Sequence, residues 1–160
     1  MAKVGRISRT ARPEGAPYVW HELVLRDGER VVENELDECL QLGCKTQSDY
    51  DLCAEQVEAR KRRAAQGRLV PVERAEEEAT EVRSQPLLWE IRWDFSGRLL
   101  RLYHAEPRRE PAMLLAAKYH WKDTSGPSQA AIDAAQDTEM AEAARRYCDS
   151  SFHPGPGSID

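Results

Sequence analysis

The chain has 160 residues, of which 41% are hydrophobic and 32% charged, and its net charge is −5. The length predicts one domain with a core of its own, and the composition is typical of a globular protein. No apolar run approaches bilayer-spanning length and the basic N-terminus lacks the apolar part of a secretory signal, so we expect a cytoplasmic protein with no membrane partner.

The first part of the chain predicts a flexible segment followed by a strand. Residues 1–17 combine basic residues with prolines and glycines and show no periodicity, which indicates a flexible basic arm. The arm could contact a nucleic acid or could simply be a mobile terminus. A strand is predicted over 18–26. After it, either a hairpin forms at Asp27-Gly28 or a helix begins near Glu29 and ends at Gly43, and the apolar spacing favours the helix.

Two further segments precede the centre of the chain. Thr46 or Ser48 can cap a helix that runs to about Gln66, where Gly67 ends it. The acidic stretch 71–85 predicts a short, weakly packed helix or a partly ordered linker.

Three consecutive strands are predicted in the centre, at 88–95, 98–104 and 113–122. The first alternates apolar and polar residues almost perfectly, which is typical of a strand with one buried face. Ser96-Gly97 predicts a two-residue hairpin turn. That turn places Trp93 opposite Leu100, Ile91 opposite Leu102, and Arg92 opposite Arg101.

The opposite face of these strands is expected to be polar and basic. Residues 86–122 contain seven Lys or Arg against four Asp or Glu, whereas the chain as a whole is acidic. The facing pair Arg92 and Arg101 needs a compensating charge, which could come from Glu90 and Asp94 or from an anionic ligand. A local basic patch of this kind can attract a polyanion even in an acidic protein. Six residues are expected to share this face: Arg92, Arg101, Tyr103, Lys118, His120 and Lys122.

The end of the chain predicts a helix and a tail. The Ala-rich stretch 128–148 favours a helix, and residues 149–160 are expected to be disordered. The order of elements predicts an α+β fold: a small antiparallel or mixed sheet, with N-terminal helices and a C-terminal helix packed on its apolar face. The single domain is expected to span 18–148.

The four cysteines do not have the close spacing of a zinc site. Cys39, Cys44 and Cys53 are separated by four and eight residues, and Cys148 is remote. We therefore expect small buried thiols in a reducing compartment, with no metal and no cofactor.

Three motifs in order resemble those of a known family. They are Leu-Trp-Glu-Ile-Arg at 88–92, Gly-Arg-Leu-Leu-Arg-Leu-Tyr at 97–103, and the strand 114–122 followed by Pro127 and an Ala-rich helix. Together they resemble the RelE/ParE superfamily of toxins from type II toxin–antitoxin systems, and most of all its HigB-like branch, also described as phage-derived Gp49-like. The resemblance covers about 86–148 and is weaker over 18–85.

This resemblance implies a metal-independent endoribonuclease that cuts mRNA on the ribosome and so inhibits translation. Its partners would be a cognate antitoxin protein, the ribosome and mRNA. Arginine can stabilise the charge on the reacting phosphate, and histidine can move a proton near neutral pH. By the match, the catalytic residues are Arg101, His120 and Lys122, and the RNA-binding residues are Arg92, Arg98, Tyr103 and Lys118.

A second function is compatible with the same family. ParE-type relatives inhibit gyrase and do not cut RNA, so a similar fold does not by itself imply nuclease activity. The chain could therefore act by binding a protein target, either as a gyrase-type inhibitor or as a non-catalytic binding module.

Overall fold

The computed structural model describes residues 6–70, 79–82 and 84–155. Within these ranges the chain forms a five-stranded sheet and three α-helices, so the predicted α+β class is confirmed. None of these helices is both long enough and apolar enough to cross a membrane. The elements in chain order are β1 (Val19–Glu22), α1 (Glu35–Gly43), α2 (Gln47–Ala65), β2 (Ala79–Glu81), β3 (Leu88–Phe95), β4 (Arg98–Ala105), β5 (Met113–Trp121) and α3 (Gln129–Cys148).

The sheet is mixed, with the strand order β1-β5-β4-β3-β2. Strand β1 runs parallel to β5, and the other pairs are antiparallel. Ser96 and Gly97 both have positive φ, as a two-residue turn of this hand requires. The predicted register of β3 and β4 is confirmed, including the facing pair Arg92 and Arg101.

Strand β5 contains a bulge that the sequence did not predict. Tyr103 pairs with Lys118, but the next residue, His104, pairs with Ala116. The extra residue is Ala117, and such an insertion reverses which face the following side chains occupy. Lys118 therefore shares a face with Tyr103, whereas Ala116 lies on the opposite face with His104.

Helices cover both faces of the sheet, which corrects the expectation that all of them pack on the apolar face. Helix α2 lies on the tryptophan side, where Trp93 Nε1 donates to the carbonyl oxygen of Gln56 at 3.3 Å. Helix α3 lies on the polar side, where Gln136 donates to Glu90. Because both faces are covered, β3 and β4 are buried almost throughout and are not half-exposed strands.

The last residues of β5 extend beyond β1, and an ion pair covers the edge left there. Glu35 accepts a hydrogen bond from the backbone N–H of Tyr119 at 2.6 Å. Arg146 donates to the carbonyl oxygen of Ala117 at 3.0 Å and pairs with Glu35 at 2.8 Å. These side chains satisfy backbone groups that a further strand would otherwise bond, and they hold α1 and α3 against the sheet.

The two ends of the chain are packed where flexibility was predicted. Residues 9–15 form two 3₁₀ turns. The backbone N–H of Leu69, beyond the end of α2, donates to the carbonyl oxygen of Thr10. Gly67 has a φ of +68°, and a side chain there would collide with the carbonyl of Arg12. Residues 6–17 of the predicted arm therefore contact the end of α2 and the loop after β4 through hydrogen bonds.

The predicted tail is also partly ordered. Ser150 forms a β-bridge with Leu25, and Arg26 donates to the carbonyl oxygen of His153 at 2.8 Å. Residues 149–155 of the predicted tail therefore contact the segment after β1, and the remainder, 156–160, lies outside the described residues.

Helix boundaries follow their capping residues. Thr46, one of the two caps considered for α2, accepts a hydrogen bond from Asp49 N, and Ser128 accepts one from Ala131 N at the start of α3. Helix α1 begins at Glu35, later than the predicted Glu29. Of the stretch predicted as helix or linker, 71–78 lies outside the described residues, and Ala79–Glu81 forms the edge strand β2 beside β3.

Candidate functional site

Most of the predicted site residues meet on the side of the sheet that α3 covers. Two cross-strand rows run over β3, β4 and β5: Arg92, Arg101 and His120 form one, and Glu90, Tyr103 and Lys118 form the other. We call these six residues the inner cluster. The hairpin turn and the regular alternation of β5 from Lys118 to His120 bring them to one face.

Glu90 supplies the negative charge that the two facing arginines require. Its carboxylate lies 2.6 Å from Arg92 Nε and 3.4 Å from Arg101 Nε, and the Glu90 side chain is 2% exposed. Gln136 of α3 donates to its other oxygen at 3.2 Å. Burial lowers the pKa of the Arg101 guanidinium, and the charge of Glu90 acts against that shift. The sequence suggested either acidic side chains or an anionic ligand as the compensating charge, and the structure shows a carboxylate of the protein, Glu90.

Tyr103 and His120 form a hydrogen-bonded pair beside Arg101. Their rings are stacked with centroids 5.2 Å apart, and His120 Nε2 lies 2.9 Å from the Tyr103 hydroxyl. His120 Nδ1 lies 3.1 Å from the carbonyl oxygen of Trp121, which can only accept. In the neutral ring, Nδ1 therefore carries the hydrogen and Nε2 accepts from Tyr103.

Burial determines the protonation of this pair. It lowers the pKa of His120, although the nearby charge of Glu139 acts in the opposite direction. It also raises the pKa of Tyr103. At neutral pH the pair is consequently a neutral imidazole and a protonated phenol, which is the state needed to accept one proton at Nε2.

The cluster is partly closed by α3. Lys118 pairs with Glu139 at 3.1 Å and lies 3.9 Å from Glu35, so its charge is also balanced within the protein. Arg92 is the most accessible member, with its side chain 36% exposed. A ligand would reach the cluster from the Arg92 side, beside Gln136 and Glu139.

Arg98 and Lys122, two of the predicted site residues, lie elsewhere. Arg98 is on the opposite face, 3.3 Å from Asp49, with its guanidinium 5.5 Å from the centre of the Trp121 ring. It lines a cavity of about 330 Å³ together with Lys122. Arg98 and Arg101 are three positions apart on β4, and successive side chains of a strand alternate between the two faces, so these arginines lie on opposite faces. The catalytic set predicted from sequence is therefore not assembled in one place.

Sequence reasoning missed a buried polar centre beyond the end of β4. Glu106 accepts hydrogen bonds from the Ser8 hydroxyl and from the backbone N–H of Arg9, and it lies 3.2 Å from His104 Nε2. Burial alone raises the pKa of Glu106, but these contacts outweigh it, and the net pKa is lowered. The signal in the sequence was the position of His104 in the middle of three predicted strands, because a strand with a neighbour on each side is more often buried.

A thiol pair was also missed. One ligand atom each from Cys44, Asp49 and Cys53 lie within 4.8 Å of one another. The four-residue spacing of Asp49 and Cys53 on α2 was a usable signal for that pair, whereas Cys44 joins them only through the bend before the helix. Burial, followed by the hydrogen bond with Cys44, raises the pKa of Cys53 to about 11. Asp49 is already paired with Arg98, and the raised pKa of Cys53 keeps that thiol protonated at neutral pH, which disfavours metal binding by its sulfur.

Comparisons with protein-family models, with curated proteins and with solved structures find no match for this chain. What can be said of its function therefore depends on the geometry described above and on the motifs in its sequence.

Proposed function

We propose that this chain is the toxin of a type II toxin–antitoxin system, with a RelE/ParE-like, HigB-like domain that cuts ribosome-bound mRNA in the cytoplasm. The observation that carries the proposal is the inner cluster, in which a neutral His120 bonded to Tyr103 lies in the same row as Arg101 and Arg92. A cognate antitoxin would be its second protein partner.

The chemistry assigned to this cluster is transfer of a phosphodiester within RNA. The 2′-oxygen forms a bond to phosphorus while the bond from phosphorus to the 5′-oxygen breaks, leaving a 2′,3′-cyclic phosphate and a 5′-hydroxyl. The Tyr103 hydroxyl takes the proton of the 2′-hydroxyl as it gives its own proton to His120 Nε2, and the Lys118 ammonium gives a proton to the 5′-oxygen. Arg92 and Arg101 stabilise the charge on the phosphorane.

Some residues of the predicted site receive roles in this mechanism other than those that the resemblance implies. Arg98 and Lys122 lie away from the cluster and are assigned no chemical step. The Tyr103 hydroxyl, which donates to His120 Nε2, relays the proton to it and also holds the ring in position.

The test is ribosome-dependent cleavage of mRNA in a translation extract, with 5′ ends mapped. Arg101→Ala should lower the cleavage rate by about 10²–10³-fold, as expected when one contact to the transition state is lost. Because Arg101 is buried, Tyr103→Phe and Arg92→Ala are tested beside it, and each variant is checked by circular dichroism. Arg109→Ala, an exposed arginine outside the cluster, is the matched control. Cleavage at the parental rate by a folded Arg101→Ala variant contradicts the nuclease assignment.

One observation favours a second function, binding of a protein target without RNA cleavage, such as gyrase-type inhibition. The cations of the inner cluster have carboxylate partners within the protein, namely Glu90 and Glu139. Such pairing is what a purely structural network requires. Growth arrest on induced expression that persists in Arg101→Ala, with no new RNA ends, supports this second function.

A further inference from the structure

A second group of arginines lines a cavity of about 500 Å³ on the other side of the sheet. The cavity lies between the N-terminal segment, the residues before β3 and the loop after β4. We call it the arginine cavity. Its charged and aromatic lining residues are Arg6, Arg9, Arg12, Arg108, Glu106 and Trp89.

Two of these arginines, Arg6 and Arg9, contact groups that carry no negative charge. Arg9 is 8% exposed and donates to the carbonyl oxygens of Pro107, Glu110 and Met113 at 2.8–3.0 Å. Arg6 donates to the carbonyl oxygen of Pro86, and its guanidinium lies 5.0 Å from the centre of the Trp89 ring. Carbonyl oxygens and aromatic faces orient a guanidinium without neutralising it.

Within the described ranges, neither Arg6 nor Arg9 nor Arg12 forms an ion pair with a carboxylate. Glu106 is the acidic residue in the lining, and its carboxylate is 7% exposed and already bonded to Ser8, to the backbone of Arg9 and to His104. Arg6, Arg9 and Arg12 thus share the cavity with one carboxylate that is already engaged. Burying a cation without a counter-ion is costly, so an anion that enters this cavity relieves an existing penalty.

We propose that the arginine cavity binds the phosphate group of a nucleotide or of an RNA chain. A phosphate ester presents several acceptor oxygens and, at a chain end, nearly two negative charges, which suits several arginines converging from different segments. A carboxylate carries one charge and has fewer oxygens to share. The volume is within the range of cavities that hold small ligands.

This site is separate from the inner cluster. Trp89 lies on the sheet face that carries His104, its partner across β4, and the inner cluster occupies the other face. Binding at the arginine cavity therefore does not require RNA cleavage, and the two proposals can fail independently.

The experiment is calorimetric titration of the full chain with inorganic pyrophosphate, with ATP and with a short oligouridylate. We expect at least one of them to bind, with affinity that falls as salt is raised. Arg6→Gln and Arg12→Gln should each weaken binding about tenfold, the size of one lost charge-assisted contact. Both residues are exposed, so these changes spare the fold, and Arg109→Gln, adjacent to the lining residue Arg108, is the matched control.

Each outcome of this titration decides something. Binding of ATP and pyrophosphate identifies a terminal phosphate as the ligand, and binding of oligouridylate alone identifies an internal phosphodiester, and either supports the site. Absence of binding by all three compounds overturns the proposal, as does binding that the Arg6 and Arg12 variants leave unchanged. Equal affinity for polyglutamate also overturns it, because the cavity would then not select phosphate.

Discussion

The inner cluster and the arginine cavity both gather arginines against the same sheet, but they balance the charge differently. In the inner cluster, Arg92 and Arg101 share the buried carboxylate of Glu90. In the arginine cavity, Arg9 is buried among carbonyl oxygens with no carboxylate partner in the described part of the chain. The first arrangement stabilises the folded protein by itself, whereas the second becomes favourable when an anion is bound.

This difference shows that the number of nearby cations does not identify a ligand site. The sequence left open whether Glu90 and Asp94 or an external anion balances the two arginines that face each other across the hairpin. Glu90 already provides that charge. The segment that carries the N-terminal arginines lacks periodicity, so the sequence does not indicate what lies beside them. Within the described residues, it is these arginines that have no carboxylate partner.

The largest expected effect is on the inner cluster. Glu90→Ala should lower the free energy of unfolding by about 3–5 kcal/mol, because it leaves two arginines without their shared counter-ion, one of them buried. Urea denaturation measures this change. Glu139→Ala, on the more exposed carboxylate facing Lys118, should cost less than about 1 kcal/mol. Equal losses for the two variants would mean that Glu90 is not the central charge of the cluster.

The next effect concerns the frame of the arginine cavity. Glu106→Gln should lower the free energy of unfolding by about 1–3 kcal/mol. The carboxylate has two oxygens that accept from the Ser8 hydroxyl and the Arg9 N–H, whereas the amide has only one. The N-terminal segment should then be cut faster by trypsin after Arg6 and after Arg9. If trypsin cuts parent and variant equally fast, Glu106 does not anchor the segment.

A pH effect distinguishes the two regions. The folded-state pKa of His120 lies below its unfolded value of about 6.5, so between those values the unfolded chain binds the extra proton. Stability is therefore full above about pH 6.5 and falls as pH decreases toward the folded pKa, by at most about 1.4 kcal/mol per pH unit for one proton. His120→Gln should reduce that slope, as measured by chemical denaturation across this range.

Glu106 adds a separate loss at lower pH. Its folded-state pKa lies below the ordinary value of 4.5, so its contribution is present above about pH 4.5 and is lost as pH falls through the folded pKa. Glu106→Gln should remove this acid component and leave the His120 component in place. A single merged transition that both variants alter equally would contradict the separation of the two regions.

The smallest effect is expected for the exposed arginines of the cavity. Arg12→Gln should change the free energy of unfolding by less than about 0.5 kcal/mol without added phosphate, since this exposed side chain pairs with no carboxylate in the described part of the chain. Saturating pyrophosphate should stabilise the parent more than the variant, which thermal melts can measure. A loss above 1 kcal/mol without ligand would indicate a structural role for Arg12.

The sequence alone determined the hairpin at the centre of the fold. The alternation in β3 and the Ser96-Gly97 turn are local properties, and they were sufficient to predict the register of β3 with β4 and the burial of Trp93 and Ile91. The caps Thr46 and Ser128 were predictable for the same reason, because a capping side chain bonds a backbone group three residues away.

Only the tertiary structure decided which charges have partners. The bulge at Ala117, the position of α3 over the polar face and the docking of the N-terminal segment on α2 all depend on residues far apart in the chain. Glu90 is next to Arg92 in space and nearly so in sequence, but its pairing with Arg101 requires the sheet. Arg9 reaches Met113 across more than a hundred residues. Charge balance in a folded protein is set by such long-range contacts, and a local pattern does not encode them.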